Sequence, residues 1–450
     1  MTDESTALRN AARTVHLPGD DGYDAARTGW SLAKDLRPAA VAEPENAAEV
    51  AAVVRAAATA GLRVAPQGTG HNSNPLSDLS GSVLLKTSRM NAIRIDPDTR
   101  TARAEAGAVW LPIAELAGKY KLAALHGSSP DTGVIGYNLG GGISWYARSQ
   151  GLAVNKVTAV EMVLADGGFV RADADHDPDL FWAVRGASAN FGVVTAVEFA
   201  LLELESAYAG MLAFDLALAP RVLPRWLEWT AGAPESATTS YRHMQMPPLE
   251  AVPEPIRGRR LVVIDGAVLE DDAEAERILA PLREFGPEID TFGRMPAAAL
   301  PRIHMDPEQP TPGGGRGGLL DNLPVEAAGK LLSVAGPDTL SPLVAVTELR
   351  HLGGALSRRP SGGGALSSLD GEFEMITGGF VMGEAKEPTY AACDVVMGSL
   401  AAYSRGKTYL PFQHAKADPS AAFDEVTLQR LRQLRASVDP RGLLQANHEI

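Results

Sequence analysis

The spacing of apolar residues changes period repeatedly along the first two hundred positions. "ENAAEVAAVVRAAATAGL" (45–62) puts Val50, Val53, Val54 and Ala57 on one face at helical spacing and stops at Gly61, predicting an amphipathic helix. "RVAP", directly after it, is an apolar run too short for a helix and predicts a buried strand. Three short strand-like runs follow, "SVLLKT", "AIRID" and "TARAEAG" (82–107), then a helix over "VWLPIAELAGKYKL" (109–122). "KVTAVEMVLADGGFVRADA" (156–174) reads as a hairpin turning at Asp166-Gly167, and "FGVVTAVEFALLEL" (191–204) as one long strand.

Past about residue 205 the pattern is looser. "PRVLPRWLEWTAG" (220–232) predicts a helix, "RRLVVIDGAVL" (259–269) a strand, and "DDAEAERILAPLREFG" (271–286) a helix capped by aspartates. "PEQPTPGGGRGG" (307–318) reads as a mobile loop; no Lys-Ser/Thr follows its glycines, so it is not a P-loop. "VAVTELRHLGGAL" (344–356) and "GEFEMITGGFVMG" (371–383) predict strands, and 426–450 closes with a helix, a Pro-Gly stop and an extended tail. At 450 residues the chain exceeds one ordinary core, which predicts two domains.

Composition narrows the classes. A content of 45% hydrophobic and 21% charged residues is that of a globular protein. No stretch is apolar enough for a membrane span, and the first residues lack a secretory h-region, so a cytoplasmic protein is expected. Cys393 stands alone, which excludes an internal disulfide and a cysteine-based zinc or iron–sulfur site. The remaining histidines lack metal spacing, so no metal is expected. The formal charge of −14 argues against a nucleic-acid partner.

Two glycine clusters carry the chemistry. One is "PQGTGHN" (66–72); the other is "HGSSPDTGVIGYNLGGGISW" (126–145). Segments with so little side chain let a backbone approach closely, either to another strand or to an anion. A Rossmann cradle is excluded: "GTGHNS" lacks the third glycine, and "GGGISW" lies too late in its unit.

The ordered motifs "PQGTGH", "SSPDTGVIGYNLGGG", "ARSQGLAVNKVTAVEMVLADG", "DPDLFWAVRGASANFGVVT" and "DPRGLLQANHEI" resemble the FAD-linked oxidases of the vanillyl-alcohol-oxidase superfamily, berberine-bridge-enzyme-like branch. The resemblance covers about 37–204 and the last 40 residues. It implies an α+β fold with a two-subdomain, PCMH-type FAD-binding domain (1–205), an α+β substrate domain with an antiparallel sheet (206–404), and a C-terminal segment (405–450) returning to the first domain. It also implies that Pro66, Gln67, Gly68, Thr69, Gly70, His71 and Asn72 hold FAD. Ser129, Asp131, Thr132, Gly133, Gly136, Tyr137, Gly140, Gly141 and Gly142 would join them from the second cluster. Gly192, Val193, Val194 and the 151–155 turn would lie along the ribityl and adenine parts.

In that family the histidine at position 71 often bonds the flavin 8-methyl carbon; the alternative is a hydrogen-bonding histidine beside non-covalent FAD. Ser129 stands where many relatives carry a second, cysteinyl attachment, which implies attachment through His71 only. The implied activity is hydride removal from a C–OH or C–N carbon of a small molecule, with O2 as acceptor. Two residues are candidates for the accompanying proton transfer. Tyr409, in "TYLPFQ", resembles the family's Y-x-N-F segment, with Pro411 replacing the asparagine; Glu374 lies on the 371–383 strand. Each has a plainer reading, Tyr409 as a packing residue and Glu374 on a solvated strand face. Tyr137 would shield the flavin or reach the substrate, and Arg350-His351 could line the pocket or serve structure. A flavin dehydrogenase, a redox-neutral flavin-dependent cyclase or isomerase, and a ligand-binding protein without chemistry remain as alternatives.

Overall fold

The computed structural model describes residues 3–250, 252 and 254–450, and it is an α+β protein. Its N-terminal part holds two sheets. In the first, Val15–His16, Ala40–Ala42, Ser82–Lys86 and Arg63–Gln67 lie side by side, the last three parallel. Helix Ala47–Thr59 packs Val50, Val53, Val54 and Ala57 into this core. Asn46 caps that helix by accepting the Glu49 N–H at 3.0 Å.

The second sheet is antiparallel, in the order Ile93–Asp96, Thr101–Glu105, Val193–Ala200, Val157–Val163 and Phe169–Asp173. Its last two strands form the predicted hairpin, with Gly167 at φ 82° in the turn. The strand expected over 191–204 is two. Val193–Ala200 ends where the Leu201 N–H leaves to bond Arg100 O (2.8 Å), and Leu202–Glu203 pairs with Leu122–Ala123 elsewhere.

The second half builds one large antiparallel sheet. In spatial order its strands are Ile289–Asp290, Ser206–Asp215, Arg260–Val268, Ala237–Gln245, Val346–His351, Phe373–Phe380 and Gly313–Leu320; Gly293–Pro296 also pairs with Ser206–Asp215. Side chains alternate across it. Ile264, Tyr241, Leu349, Phe373 and Met375 enter an apolar core with helices Ala219–Gly232, Asp272–Arg283, Ala327–Ala335 and Lys386–Ser399. The intervening positions, Asp265, Arg242, Glu348 and Glu374 among them, are buried polar residues on the opposite face.

The glycine run expected as a mobile loop is the edge strand of this sheet. Gly313–Leu320 pairs residue for residue with Phe373–Phe380. A Cβ at Gly314 would lie 2.6 Å from Val381 Cγ2 and 2.7 Å from the Tyr390 hydroxyl, and one at Gly315 would drive into the Thr377 carbonyl. Glycine here serves close backbone approach, which composition alone does not distinguish from flexibility. The strand's outer edge is capped by the returning chain, through Leu319 N–H to Lys407 O (3.1 Å) and Gln413 Nε2 to Gly317 O (3.0 Å). After helix Glu425–Val438 the tail runs beside Arg63–Gln67, with Val64 N–H donating to Leu443 O and Gln445 N–H to Val64 O, both at 2.8 Å.

Gly315→Ala is expected to lower folding stability by about 1–3 kcal/mol, the usual cost of forcing a methyl into a packed site. Chemical denaturation would read it, and an unchanged midpoint would mean the strand is not held this tightly.

Candidate active site

The loop leaving Arg63–Gln67, the 127–142 segment, the 186–190 turn and the C-terminal tail surround a cavity of about 480 Å³, closed on its far side by Arg350 and the 409–412 segment. Gly136 has nothing within 4 Å of where a Cβ would be, so a side chain there would project into free space. Along the walls, both polar atoms of Gln67, Ser73 Oγ and His448 Nε2 are buried without a hydrogen-bond partner among the described residues. A buried polar group in that condition costs free energy unless something else meets it. A cavity of this size with glycine-lined walls and several unmet donors and acceptors fits a large polar cofactor such as FAD. Gly68, Gly70 and Gly133 would bring backbone N–H groups to its pyrophosphate, while Gln67, Ser73 and His448 would supply side-chain bonds.

His71 sits in a small polar cluster. Its Nδ1 meets Thr69 Oγ1 at 2.8 Å and its Nε2 meets Asp131 Oδ1 at 3.2 Å. The Trp30 indole stacks on the imidazole, centroids 4.2 Å apart and planes at 17°, and donates its N–H to Asp131 Oδ2 at 2.7 Å. Ser129 Oγ–H donates to Asp131 Oδ1 at 2.8 Å. Burial works to raise the Asp131 carboxyl, but the hydrogen bonds from His71, Ser129 and Trp30 outweigh it and hold the group below the usual carboxylate range.

Behind the opposite wall runs a chain of buried charges, of which Arg350 lines the cavity. Asp265, fully buried, takes hydrogen bonds from Ser240 and Arg242 and lies 2.8 Å from His304 Nδ1. His304 Nε2 is 3.6 Å from Glu348 Oε2, and Glu348 Oε1 accepts from Arg350 Nε at 2.6 Å. Burial and Arg242 push the His304 imidazole down, yet Asp265, Asp306 and Glu348 prevail and raise it to about 9, so it is a cation at neutral pH. Arg350 lies 4.9 Å over the Phe412 ring at the cavity wall.

Tyr409 reaches the cavity from the returning segment. Its oxygen accepts the Gly142 N–H at 2.7 Å, and burial keeps it a phenol, with its pKa raised. Glu374 pairs across the strands with Arg350, is fully buried rather than on a solvated face, and has no hydrogen-bond partner on either oxygen among the described residues. Burial raises its pKa well above the usual range against the pull of Arg350.

The structure brings most of the expected cofactor residues to one cavity: 66–72, Ser129, Thr132, Gly133, Gly136, Tyr137, Gly140 and Val194 all line it, as does Tyr409. Others stand behind the wall. Gly141 and Gly142 make room for Tyr409 and Tyr137, where a Cβ would come within 2.8 Å and 2.6 Å of their rings. Gly192 packs on Met162 and Val163, Val193 belongs to the strand core, and the 151–155 turn contacts Ala355 and Ser367. Asp131 contacts His71 from behind the wall, and Glu374 lies behind Tyr409, whose titration its charge influences. Trp30, Thr87, Asp306, His414, Asn447 and His448 also line the cavity. Asn447 and His448 belong to the terminal "DPRGLLQANHEI" motif; the others carry no local motif, and only the fold brings them there.

Residues 38–173 match the FAD binding domain family. The (R)-6-hydroxynicotine oxidase of Paenarthrobacter nicotinovorans is 37% identical over 208 residues, 46% of this chain and 45% of that protein. The chitooligosaccharide oxidase of Gibberella zeae is 30% identical over 292 residues, 63% of this chain and 56% of that one. The chain thus spans about half the length of the curated relatives it matches. Likeness in fold runs further: Physcomitrella patens BBE-like 1 superposes with a TM-score of 0.84 over 100% of this chain and 99% of that one, at 17% identity. Residues 38–173 thus match an FAD binding domain, and the whole chain shares the fold of Physcomitrella patens BBE-like 1.

His304 gives a pH-dependent signature. Its folded pKa lies above the unfolded value near 6.5, so the stability it lends is complete below about pH 6.5 and is lost as pH rises toward 9. The stability gap between wild type and His304→Gln is expected to shrink over that interval by about 1.4 kcal/mol per pH unit. A gap constant with pH in denaturation experiments would show that His304 is not charged in the fold.

Proposed function

We propose that this protein is an FAD-dependent oxidase that removes a hydride from a C–OH or C–N carbon of a small molecule, with O2 as acceptor and H2O2 as product. The observation that carries the reading is the cavity itself. The segment matching the FAD binding domain forms one wall, and Arg350 of the large sheet and Tyr409 of the returning segment stand on the other. When bound, FAD supplies the oxidant, accepting the hydride at N5. The attachment we propose is covalent through His71 alone, since Ser129 offers no thiolate and Cys393 is buried in helix Lys386–Ser399. The protein is proposed to work in the cytoplasm on a small-molecule substrate, with no nucleic-acid partner.

The chain's own groups supply the proton chemistry. Because its oxygen already accepts from Gly142, Tyr409 can turn its O–H toward the cavity and a substrate in it. In this reading Tyr409 engages the substrate O–H or N–H at its oxygen, and the charge of Glu374 behind it tunes how readily that oxygen exchanges a proton. Arg350, held by Glu348 and stacked on Phe412, fixes the charge of that wall.

Purified protein is expected to be yellow, and on acid precipitation the flavin is expected to stay with the pellet in wild type and to leave it in His71→Ala. Flavin in the wild-type supernatant would refute the covalent reading; a colourless protein that takes up no FAD would refute the whole. Once a substrate is found, oxygen-dependent peroxide formation is expected, with Glu374→Gln and Tyr409→Phe each slowing flavin reduction at least about 100-fold.

A further inference from the structure

The cluster around His71 settles a question of proton bookkeeping. An ionised carboxylate only accepts hydrogen bonds. Asp131 receives one from the Trp30 indole on Oδ2 and one from Ser129 on Oδ1, and its third neighbour is His71 Nε2 on Oδ1 at 3.2 Å. Nε2 must therefore carry a proton. In the neutral ring the lone pair is then on Nδ1, where the Thr69 hydroxyl donates at 2.8 Å. The ring is fixed in plane by Trp30, which is itself clipped at both sides: Trp30 N–H donates to Thr69 O at 2.9 Å, and Thr311 N–H to Trp30 O at 3.1 Å.

We propose that Asp131 is a positioning residue for flavin attachment, which holds His71 in the tautomer whose Nδ1 is the nucleophile and takes up the Nε2 proton as the bond forms. The proposal rests on the reading of His71 as the attachment site. Overall, one C–H bond of the flavin 8-methyl group and the Nε2–H bond of His71 are broken, and one C–N bond to Nδ1 is made. The two electrons and two protons released pass to dioxygen, which leaves as H2O2. Ser129 has its own part in this. The residue standing where relatives carry a second attachment here donates to the carboxylate that orients the first. A half-buried carboxylate collecting three donors is also more than a surface anchor for Trp30 requires, since one acceptor would satisfy the indole.

The test uses the full chain incubated with excess FAD, with attachment followed by flavin fluorescence of the denatured band and by the mass of the peptide holding His71. Asp131→Ala is expected to bind FAD but attach it at least about 100-fold more slowly, and added formate is expected to restore the rate in proportion to its concentration. A purely structural role would not respond to formate. Attachment at the wild-type rate, or a slow variant that formate leaves slow, overturns the proposal while leaving His71 as the site. Wild-type protein that releases its flavin on denaturation overturns the attachment reading itself. Should Asp131→Ala take up no FAD, Ser129→Ala and Trp30→Phe each remove one donor and keep the charge. Slowed attachment with normal FAD uptake is expected of both, and wild-type rates in both would overturn the proposal.

Discussion

A carboxylate withdrawn from bulk water has to be met by donors, and the cavity's two walls are each arranged around one that is. On the substrate-sheet side Asp265, fully buried, is met by Ser240, Arg242 and His304, which come from a neighbouring strand and from the segment after the sheet's far edge. Those donors fix what lies beyond them. His304 places Glu348, Glu348 holds Arg350, and Arg350 lies on Phe412 at the cavity. Removing one partner from such a chain leaves an uncompensated charge in a dry interior, so the chain's members depend on one another more than any single contact energy suggests. On the cofactor side Asp131 gathers Trp30, Ser129 and His71 in the same way, with more access to water.

What the sequence makes legible follows from how local each constraint is. The helix over 45–62, the hairpin at Asp166-Gly167 and the strands expected over 259–269, 344–356 and 371–383 are written in apolar spacing within a few residues of themselves, and all form. The two glycine loops and His71 were legible for the same reason, as contiguous motifs. Trp30 was not: its partner Asp131 is 101 positions away, and nothing around Trp30 marks it. The Asp265–His304–Glu348 chain is likewise assembled from three separate segments. Strand alternation separates Glu374 from Phe373 and Met375, yet a solvated face and a buried polar one have the same period. Only the domain laid against that face decides between them.

The Gly313–Leu320 strand and the cofactor loops show one residue type doing two different jobs. In the strand, glycine lets two backbones and a capping segment close on each other, and the space is filled. At Gly136 the missing side chain leaves a void instead. Both read as loop by composition. The difference is whether protein or ligand occupies the room the absent Cβ provides.

That distinction also explains the unequal reach of the comparisons. The family match stops at residue 173, while the fold likeness covers the whole chain at 17% identity. A wall made of backbone constrains sequence directly, because a side chain at a position such as Gly142 would collide with the Tyr137 ring at 2.6 Å. A sheet constrains only the alternation of polar and apolar positions, and many sets of charges can satisfy one another across it. The same architecture can therefore keep one cofactor cradle while the residues opposite it change. In this chain those residues are Glu348, Arg350 and Glu374, neighbours on adjoining strands, and they belong to this sequence rather than to the fold.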